Sequence, residues 1–257
     1  MKVLFLLIVL IFSLSACQRK EIRLVTTTSV ENSGLLAYLL PHFEEQYGMK
    51  VKVVAVGTGA ALRLGELGEA DILIVHDRQR ELDFIEAGYG ERHHPLMVND
   101  FIYVGPRALK TTSLEDFVHR LIADEAFFSR GDLSGTHARE LALWETFGFN
   151  LDDFGSRYKE TGQSMESTLM MASQKGYYTL TDRGTYLAMQ DSLDLIIVFE
   201  DHPLLINDYG VIKVHRDRHN RDHTLADLLY DWLLSETAKE LIRNYRINGQ
   251  PLFYPYE

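Results

Sequence analysis

The sequence is poor in cysteine and in basic residues. Its 257 residues include one cysteine, Cys17, so no disulfide can form within the chain. The chain has 26 Lys and Arg residues against 37 Asp and Glu residues, which gives a formal charge of −11. Because binding to a phosphate backbone needs clustered basic residues, this balance argues against a nucleic-acid partner. It does not argue against a small anion, since a local group of N–H and O–H donors can hold one in an acidic protein.

Long apolar runs are also scarce, and the one that stands out lies at the N-terminus, over residues 3–14. It is too short for a permanent membrane-spanning helix, which needs about 20 apolar residues. The letters "LSAC" follow the run and resemble a lipobox. We therefore predict a lipoprotein signal peptide over residues 1–16, lipidation of Cys17 and a short tether over residues 17–21. Removal of the signal peptide takes away Lys2, and the remaining 241 of 257 residues carry a charge of −12.

Apolar runs with strand-like patterning alternate with helical patterns through the first part of the chain. Such alternation predicts βα units, a parallel sheet and covering helices. Ligands of sheets of this kind bind beyond the carboxyl ends of the strands, near the helix starts. The three predicted strand and helix pairs are 22–26 with 35–46, 51–56 with 60–67, and 72–75 with 79–87.

Two segments more than a hundred residues apart share an Asn-Asp-aromatic step that leads into an apolar strand: "MVNDFIYVGP" (97–106) and "LINDYGVIKVH" (205–215). Asn-Asp also marks ordinary turns, so this recurrence alone leaves two interpretations open. We interpret the segments as two crossings between lobes. The predicted first lobe combines residues 22–101 with 207–257, and the predicted second lobe is the block 102–206 inserted between them.

The inserted block has helical and strand patterns of its own, and two further helices follow it. The C-terminal helices are expected to pack on the first lobe, with Ser235 as the N-cap of the last one. In the block we predict helices over 114–123, 137–147, 167–175 and 183–190 and strands over 126–129, 177–181 and 195–199, followed by helices over 225–234 and 236–245.

The clearest chemical signal is a helix start in the inserted block, within "FFSRGDLSGTHARELALWETFGF". Ser134, Gly135 and Thr136 fall where backbone N–H groups lack partners and where the helix dipole favours negative charge. Arg130 adds a guanidinium that can donate two parallel hydrogen bonds to an oxyanion. The same residues also fit an ordinary helix cap, with Arg130 paired to Asp132.

Similar hydroxyl-rich and glycine-rich junctions recur at "TTTS", "VGTGAAL", "GQSMESTLMMAS" and "TLTDRGTY". Their recurrence predicts one cavity with many donors and few obligatory acceptors, which suits a fully deprotonated anion. A hydrogen phosphate ion would also need an acceptor. Asp132 and Asp182 could serve, but each lies beside an arginine and is more simply explained as holding that arginine.

The ordered set "TTTS", "VGTGAAL", "GEADILIVHD", "GYGERHHPLMVNDFIYVGP", "SRGDLSGTH" and "YTLTDRGTYL" resembles the substrate-binding proteins of bacterial tungstate ABC importers. The resemblance runs from about residue 22 to the C-terminus. It implies an α/β, two-lobed periplasmic-binding-protein fold of type II, in which each lobe is a mainly parallel sheet flanked by helices. It also implies capture of a tetrahedral oxyanion, tungstate first and molybdate, phosphate or sulfate as alternatives.

By position, the resemblance also implies which residues bind the ligand: Thr27, Thr28, Ser29, Thr58, Arg130, Ser134, Gly135, Thr136 and Thr168. It implies no cofactor and no metal. The expected partners are an ABC permease with its cytoplasmic ATPase, and the membrane through a lipid on Cys17. We expect an exported monomer that faces the periplasm or the extracellular side and that catalyses no reaction.

Two other chemical interpretations depend on histidines. Ser134 and His137 could form a nucleophile and base of a secreted hydrolase, although the G-x-S-x-G setting of a hydrolase elbow is missing. His93 and His94 could ligate a metal, but adjacent histidines seldom face one ion, so we expect a solvated loop there.

Overall fold

The computed structural model describes residues 21–215 and 224–257. The predicted signal peptide, Cys17 and the tether up to residue 20 lie outside the described residues. Glu21, assigned to the tether from the sequence, is the first residue of a strand. Within the described ranges, no helix combines the length and the apolar character that crossing a membrane requires.

The described strands form one eight-stranded sheet and two short two-stranded sheets. Six of the eight strands lie in the order β12-β4-β9-β3-β1-β2, and the other two, β7 and β8, both pair with β4. Strand β1 is parallel to β2 and β3, whereas β9 and β4 join antiparallel. The strands are β1 Glu21–Thr27, β2 Lys50–Val56, β3 Ile72–Val75, β4 Gly90–Gly105, β5 Phe127–Ser129, β6 Tyr158–Glu160, β7 Thr179–Asp182, β8 Ile196–Phe199, β9 Ile206–Val214, β10 Arg246–Ile247, β11 Gln250–Pro251 and β12 Tyr254–Pro255.

The predicted α-helices occupy their expected positions to within two residues at either end, and one short α-helix of the described residues was not predicted. That additional helix, Thr28–Asn32, follows β1 directly and contains part of the "TTTS" motif. The α-helices are α1 Thr28–Asn32, α2 Leu35–Tyr47, α3 Thr58–Glu66, α4 Arg78–Glu86, α5 Leu114–Asp124, α6 Gly135–Thr146, α7 Met165–Lys175, α8 Arg183–Met189, α9 Thr224–Leu233 and α10 Glu236–Asn244.

Strand β4 belongs to two sheets. Its first part, up to Asp100, pairs with β9, and its second part, from Phe101, pairs with β7 and β8. We call the β12-β4-β9-β3-β1-β2 ladder the first sheet, and the β4, β7 and β8 ladder the second sheet. Strands β5 and β6 pair in parallel, and a β-bridge joins Phe127 of β5 to Tyr178, the residue before β7. The predicted α/β class with a lobe on each sheet is confirmed.

The two Asn-Asp segments lie side by side where the chain passes between the sheets. Asn99 is opposite Asn207 in the β4-β9 ladder, and the Nδ2 of Asn207 donates to Oδ1 of Asn99 at 2.9 Å. Both side chains are buried. The alternative of two ordinary turns is therefore wrong, because both segments are strands that pair with each other. The residue limits that we predicted for the lobes stay a prediction.

The cores follow from the alternation of side chains along the strands. On β3, Ile72 and Ile74 pack into the largest core, and Leu73 and Val75 pack into a separate core on the opposite face. Burial of each such aliphatic side chain stabilises the fold by about 1.5 to 3 kcal/mol. A third core, centred on Phe117 and other aromatic rings, lies under the second sheet. These cores hold the strand ends in place and so fix the helix starts that follow them.

Candidate oxyanion site

A cavity of about 580 Å³ lies between the helix starts of the two lobes. It receives residues from the starts of α1, α3 and α4, which follow first-sheet strands, and of α6, α7 and α8 in the second lobe. The sequence prediction of converging helix starts is confirmed. Eight of the nine residues predicted to bind ligand line this cavity: Thr27, Thr28, Ser29, Thr58, Arg130, Ser134, Gly135 and Thr136.

On the first-lobe wall, α1 and α3 begin without a side-chain cap. Thr27 is the N-cap of α1 and Gly57 that of α3, and neither helix has a side-chain hydrogen bond at its N-cap. The Oγ1 of Thr58 is buried and has no hydrogen-bond partner. Thr27 Oγ1 and Ser29 Oγ lie 3.0 Å apart. An orphaned hydroxyl beside an uncapped helix start is a donor set that an acceptor-only ligand would satisfy.

On the second-lobe wall, the helix starts are capped. Ser134 Oγ accepts from the backbone N–H of His137 at 3.4 Å, and Ser164 Oγ accepts from that of Ser167 at 3.3 Å. The Ser164 hydroxyl in turn donates to Ser167 Oγ at 3.3 Å. The caps explain why α6 and α7 begin where they do.

The positive charge of this wall is Arg130, and its guanidinium is already engaged. Its Nη2 pairs with Asp132 Oδ2, and its Nε donates to the carbonyl oxygen of Gln163 at 3.3 Å. Burial opposes ionisation of Asp132, yet hydrogen bonds from Ser134 and the charge of Arg130 lower the pKa of its carboxyl overall. The expectation that Asp132 holds Arg130 is confirmed. Asp132 is an ionised acceptor at neutral pH, with its lone pairs directed at these partners.

The corresponding expectation for Asp182 is wrong. Its carboxylate caps α8, accepting from Thr185 N at 2.9 Å and from Thr185 Oγ1 at 2.7 Å. Arg183 instead donates to both oxygens of Asp100, with Nε 2.7 Å from Oδ1, and it also pairs with Glu200. Adjacent positions at a helix start point in different directions, so proximity in the sequence did not predict the pair.

Gly135 makes a close contact with the first lobe. A Cβ built at this position would lie 2.4 Å from Cε1 of His76, a distance that real Cβ atoms do not show. His76 follows β3, and its ring packs on Tyr209 with centroids 5.0 Å apart. The sequence suggested that Gly135 allows backbone to approach a ligand. The structure adds a second reason for glycine, because the imidazole occupies the space that a side chain would fill.

His76 is a neutral group on the cavity wall. Burial lowers the pKa of the imidazole to about 4, and the charges of Arg139 and Arg130 act in the same direction, against opposing contributions from Asp77 and Asn207. Its Nδ1 is buried without a partner. At neutral pH the ring therefore contributes no positive charge to the cavity.

Comparison with known proteins agrees with this geometry. Residues 14–237 match the family description "PBP superfamily domain", which is most of the chain. The chain belongs to the PBP superfamily. It is 45% identical over 246 residues to the tungstate-binding protein TupA of Peptoclostridium acidaminophilum, an alignment that covers 91% of this chain and 85% of that protein.

Two solved structures of similar proteins have the same fold as this PBP-superfamily chain. The tungstate-binding protein TupA from Desulfovibrio alaskensis superposes with a TM-score of 0.83 at 35% identity, covering 92% of this chain and 98% of that one. The tungstate ABC transporter structure from Geobacter sulfurreducens gives a TM-score of 0.81 at 39% identity, covering 88% and 99%.

Thr168 is the exception among the predicted ligand residues of this PBP-superfamily protein. It is fully buried on α7 and is absent from the described lining of the cavity. Its Oγ1 lies 2.8 Å from Oγ1 of Thr161, which in turn accepts from Gln163 N at 3.3 Å. Because the fourth residue of a helix can face inward while the cap residue faces the cleft, Thr168 supports the loop behind Arg130 rather than the cavity wall.

Several lining residues were not predicted as site residues from the sequence, among them Asn32, His76, Arg80 and Glu166. His76 and Arg80 flank Asp77, the N-cap of α4, so the "VHDRQ" junction already contained a usable signal. Asn32 and Glu166 carry no such signal. Only the meeting of α1 with the start of α7 brings them to the cavity.

The remaining histidine interpretations are settled by local contacts. His93 and His94 lie on β4, not in a solvated loop, and they point to different partners: His93 Nε2 is 2.7 Å from Glu81 Oε2, and His94 Nδ1 is 2.7 Å from the Tyr230 hydroxyl. Across residues 21–215 and 224–257, no group of three or more His, Cys, Asp or Glu side chains is arranged to hold a metal ion.

Proposed function

We propose that this protein is an extracytoplasmic receptor that captures a tetrahedral oxyanion, tungstate in the first place, and delivers it to an ABC permease. The observation that carries the proposal is the unpartnered hydroxyl of Thr58. Its hydroxyl is buried and unpartnered at an uncapped helix start, on the wall of the cavity that Arg130 also lines. An acceptor-only anion would satisfy this donor.

The proposed ligand set joins the two walls. Thr27, Thr28, Ser29 and Thr58 would supply neutral donors from the first lobe. In the second lobe, Arg130, Ser134, Gly135 and Thr136 would supply a charge, hydroxyls and backbone N–H groups. Thr168 would contribute indirectly, because its hydroxyl contacts Thr161, which donates to the carbonyl oxygen of Arg130.

The acceptors in the cavity favour an ion without a proton. Asp132 accepts from Arg130 and Ser134, Asp182 accepts from Thr185, and Glu166 accepts from Asn32, so each of these carboxylates is directed at a protein donor and not at the proton of a hydrogen phosphate ion. This argument favours tungstate, molybdate and sulfate over phosphate. Tungstate over molybdate is supported by the names of the relatives, because ions of nearly equal radius present the same hydrogen-bond acceptors to this cavity.

Capture would proceed by closure about the paired crossing strands. Both boundaries between the proposed lobes, 22–101 with 207–257 and 102–206, lie within a few residues of the bonded pair Asn99 and Asn207 on the first-lobe side. Bending there would bring the second-lobe donors over an anion that the first lobe already holds. Closure removes water, and the charge-assisted hydrogen bonds strengthen as the local dielectric falls.

The wider setting follows from the same family. We propose an exported monomer, held to the membrane by a lipid on Cys17 and working with a permease and its cytoplasmic ATPase. No cofactor, metal or chemical step is required in this scheme. The hydrolase alternative is disfavoured by His137, whose Nδ1 accepts from Leu133 N at 3.0 Å and whose Nε2 is buried, so the ring is not positioned as a base for Ser134.

A thermal-shift panel tests the proposal directly. Tungstate, molybdate, sulfate and phosphate would each be added to the purified protein, and an ion that binds the folded state raises the melting temperature. We expect tungstate and molybdate to give the largest increases and phosphate the smallest. The receptor assignment fails if none of the four ions moves the transition, and the enzyme alternative gains if an ester is turned over and Ser134→Ala abolishes that turnover.

A further inference from the structure

Four carboxylates line the cavity of this proposed anion receptor, and one of them differs from the rest. Asp77 pairs with Arg80, Asp132 pairs with Arg130, and Asp182 caps its own helix through Thr185. Glu166 is held by a neutral group from the other lobe, since its Oε1 accepts from Nδ2 of Asn32.

This bond connects the two walls of the site. Asn32 is the last residue of α1, the helix that begins with Thr28 and Ser29. Glu166 is the second residue of α7, directly after the loop that accepts from Arg130 at Gln163. The partners are 134 residues apart in the chain, so the bond exists only while α1 and α7 lie together.

The charge of Glu166 acts against an anion in the same cavity. Its position in the first turn of α7 partly compensates that charge through the helix dipole. A bound dianion would still experience repulsion from a half-buried carboxylate whose partner is an uncharged amide. Glu166 therefore has two opposite effects, one on lobe contact and one on anion binding.

We propose that Asn32 and Glu166 are positioning residues that form a latch across the cleft, and that the latch carboxylate at the same time weakens the hold on the anion. The proposal rests on the proposed oxyanion function. A bond made only in the closed arrangement shifts the open and closed populations toward closed and slows ligand release. The negative charge limits how tightly the closed receptor holds its ion, which suits a protein that must pass the ion on.

Four variants separate the two effects. Glu166→Gln keeps an oxygen for Asn32 and removes the charge. Glu166→Ala removes both. Asn32→Asp places two carboxylates against each other and breaks the latch. The double variant Asn32→Asp with Glu166→Gln exchanges donor and acceptor, so the bond re-forms with its polarity reversed.

The measurements are the dissociation constant of sodium tungstate by calorimetry and its release rate by stopped-flow tryptophan fluorescence. We expect Glu166→Gln to bind about threefold or more tightly at low salt, with the gain shrinking as salt is added. We expect Glu166→Ala to release tungstate faster than Glu166→Gln, because these two variants differ only in the bond to Asn32. We expect Asn32→Asp to release it about tenfold faster than wild type, because this change breaks the bond and adds a carboxylate to the cavity. The exchanged double variant should return to within about twofold of the wild-type release rate.

Matched controls are exposed changes outside the cavity lining. Glu145→Gln removes one carboxylate from α6, and Asn150→Asp adds one at a position where Asp also caps the following turn. Both should leave release unchanged, and melting temperatures verify that every variant folds. The latch is overturned if Glu166→Ala releases tungstate no faster than Glu166→Gln, or if the double variant is no slower than Asn32→Asp.

A failure of the proposed oxyanion binding would give a different experimental result from a failure of the latch. If the wild-type protein binds no tungstate, the oxyanion proposal fails, and the latch is tested without ligand by small-angle scattering. The radius of gyration should then be larger in Asn32→Asp than in wild type and should return to the wild-type value in the double variant. Equal radii in all three proteins would overturn the latch as well.

Discussion

The two walls of the cavity are built from the same element, a strand followed by a helix start, but they differ in how those helix starts are capped. On the first-lobe wall, α1 and α3 lack side-chain caps and Thr58 keeps an unpartnered hydroxyl. On the second-lobe wall, Ser134 and Ser164 cap their helices and Arg130 is paired. On the first wall the Thr58 hydroxyl has no existing bond to give up, whereas Arg130 and Ser164 on the second wall already have protein partners.

The difference in capping and charge between the two walls explains how an acidic protein can bind an anion. The uncapped starts offer donors without charge, so they add no attraction at long range and little selectivity by charge. Arg130 adds the charge, and its pairing with Asp132 keeps the guanidinium in position without leaving an unpaired cation in the cavity. The following predictions test this division, from the largest expected effect to the smallest.

Loss of the charged donor should have the largest effect. Arg130→Ala removes the guanidinium and leaves the Asp132 carboxylate unneutralised beside the anion. We expect tungstate binding to weaken by about 3 kcal/mol, the upper range for a hydrogen bond to a charged group. Calorimetry measures the change, and Arg120→Ala, which removes an exposed α5 arginine, is the matched control. Affinity unchanged within twofold would remove Arg130 from the site.

The second wall should also respond to pH through Glu140 on α6. This carboxyl is buried, and its Oε1 accepts from the Tyr158 hydroxyl at 2.6 Å and from Trp144 Nε1 at 3.2 Å. Burial raises its pKa from 4.5 to about 7, with Glu160 acting in the same direction and the bonds from Tyr158, Trp144 and Ser129 opposing. Folding therefore favours the protonated form, and this stabilisation is complete below pH 4.5 and is lost as pH rises through 7.

We expect the free energy of unfolding to fall by about 2.5 kcal/mol from this group between pH 5 and pH 8. Denaturant titrations at the two values measure it. Glu140→Gln has the same shape without the ionisation, so its stability should depend less on pH by that amount. An identical pH dependence in the two proteins contradicts the prediction.

The contact between the walls should not tolerate a methyl group. Gly135→Ala places a Cβ 2.4 Å from the His76 ring, so either the ring or the helix start must move. We expect tungstate binding to weaken by about 2 kcal/mol, a typical effect of overpacking. The double variant with His76→Ala should recover part of the loss, because it removes the obstructing ring. The prediction is wrong if Gly135→Ala binds tungstate as the wild type does.

The smallest expected effect is on the uncapped wall. Thr58→Val keeps the shape and removes the buried hydroxyl, so we expect binding to weaken by about 1 kcal/mol. The ligand-free protein should melt at a slightly higher temperature, because an unpartnered buried polar group is no longer present. Thr58→Ser, which keeps the donor, is the control. A Thr58→Val protein that binds normally would mean that the hydroxyl does not contact the anion.

Much of the site was predictable from sequence because its signals are local. Hydroxyl and glycine residues at predicted helix starts, seven in number, and Arg130 were implied as ligand residues by the family resemblance, and all eight line the cavity. Thr168, which was also predicted to bind ligand, lies behind the wall, since a pattern of hydroxyls does not distinguish the cap position from the inward face one turn later. Asp182 was wrongly expected to hold Arg183, since the partner, Asp100, is 83 residues away.

By itself, the sequence determined the order of the longer strands and helices, the composition of the helix starts and the acidic, disulfide-free character of the chain. These depend on periodicity, local capping and charge, all of which act within a few residues. The tertiary structure alone decided that Asn32 meets Glu166, that Gly135 faces His76 and that β4 serves two sheets. Such contacts depend on how packed cores set the lobes against each other, and no short stretch of sequence encodes that geometry.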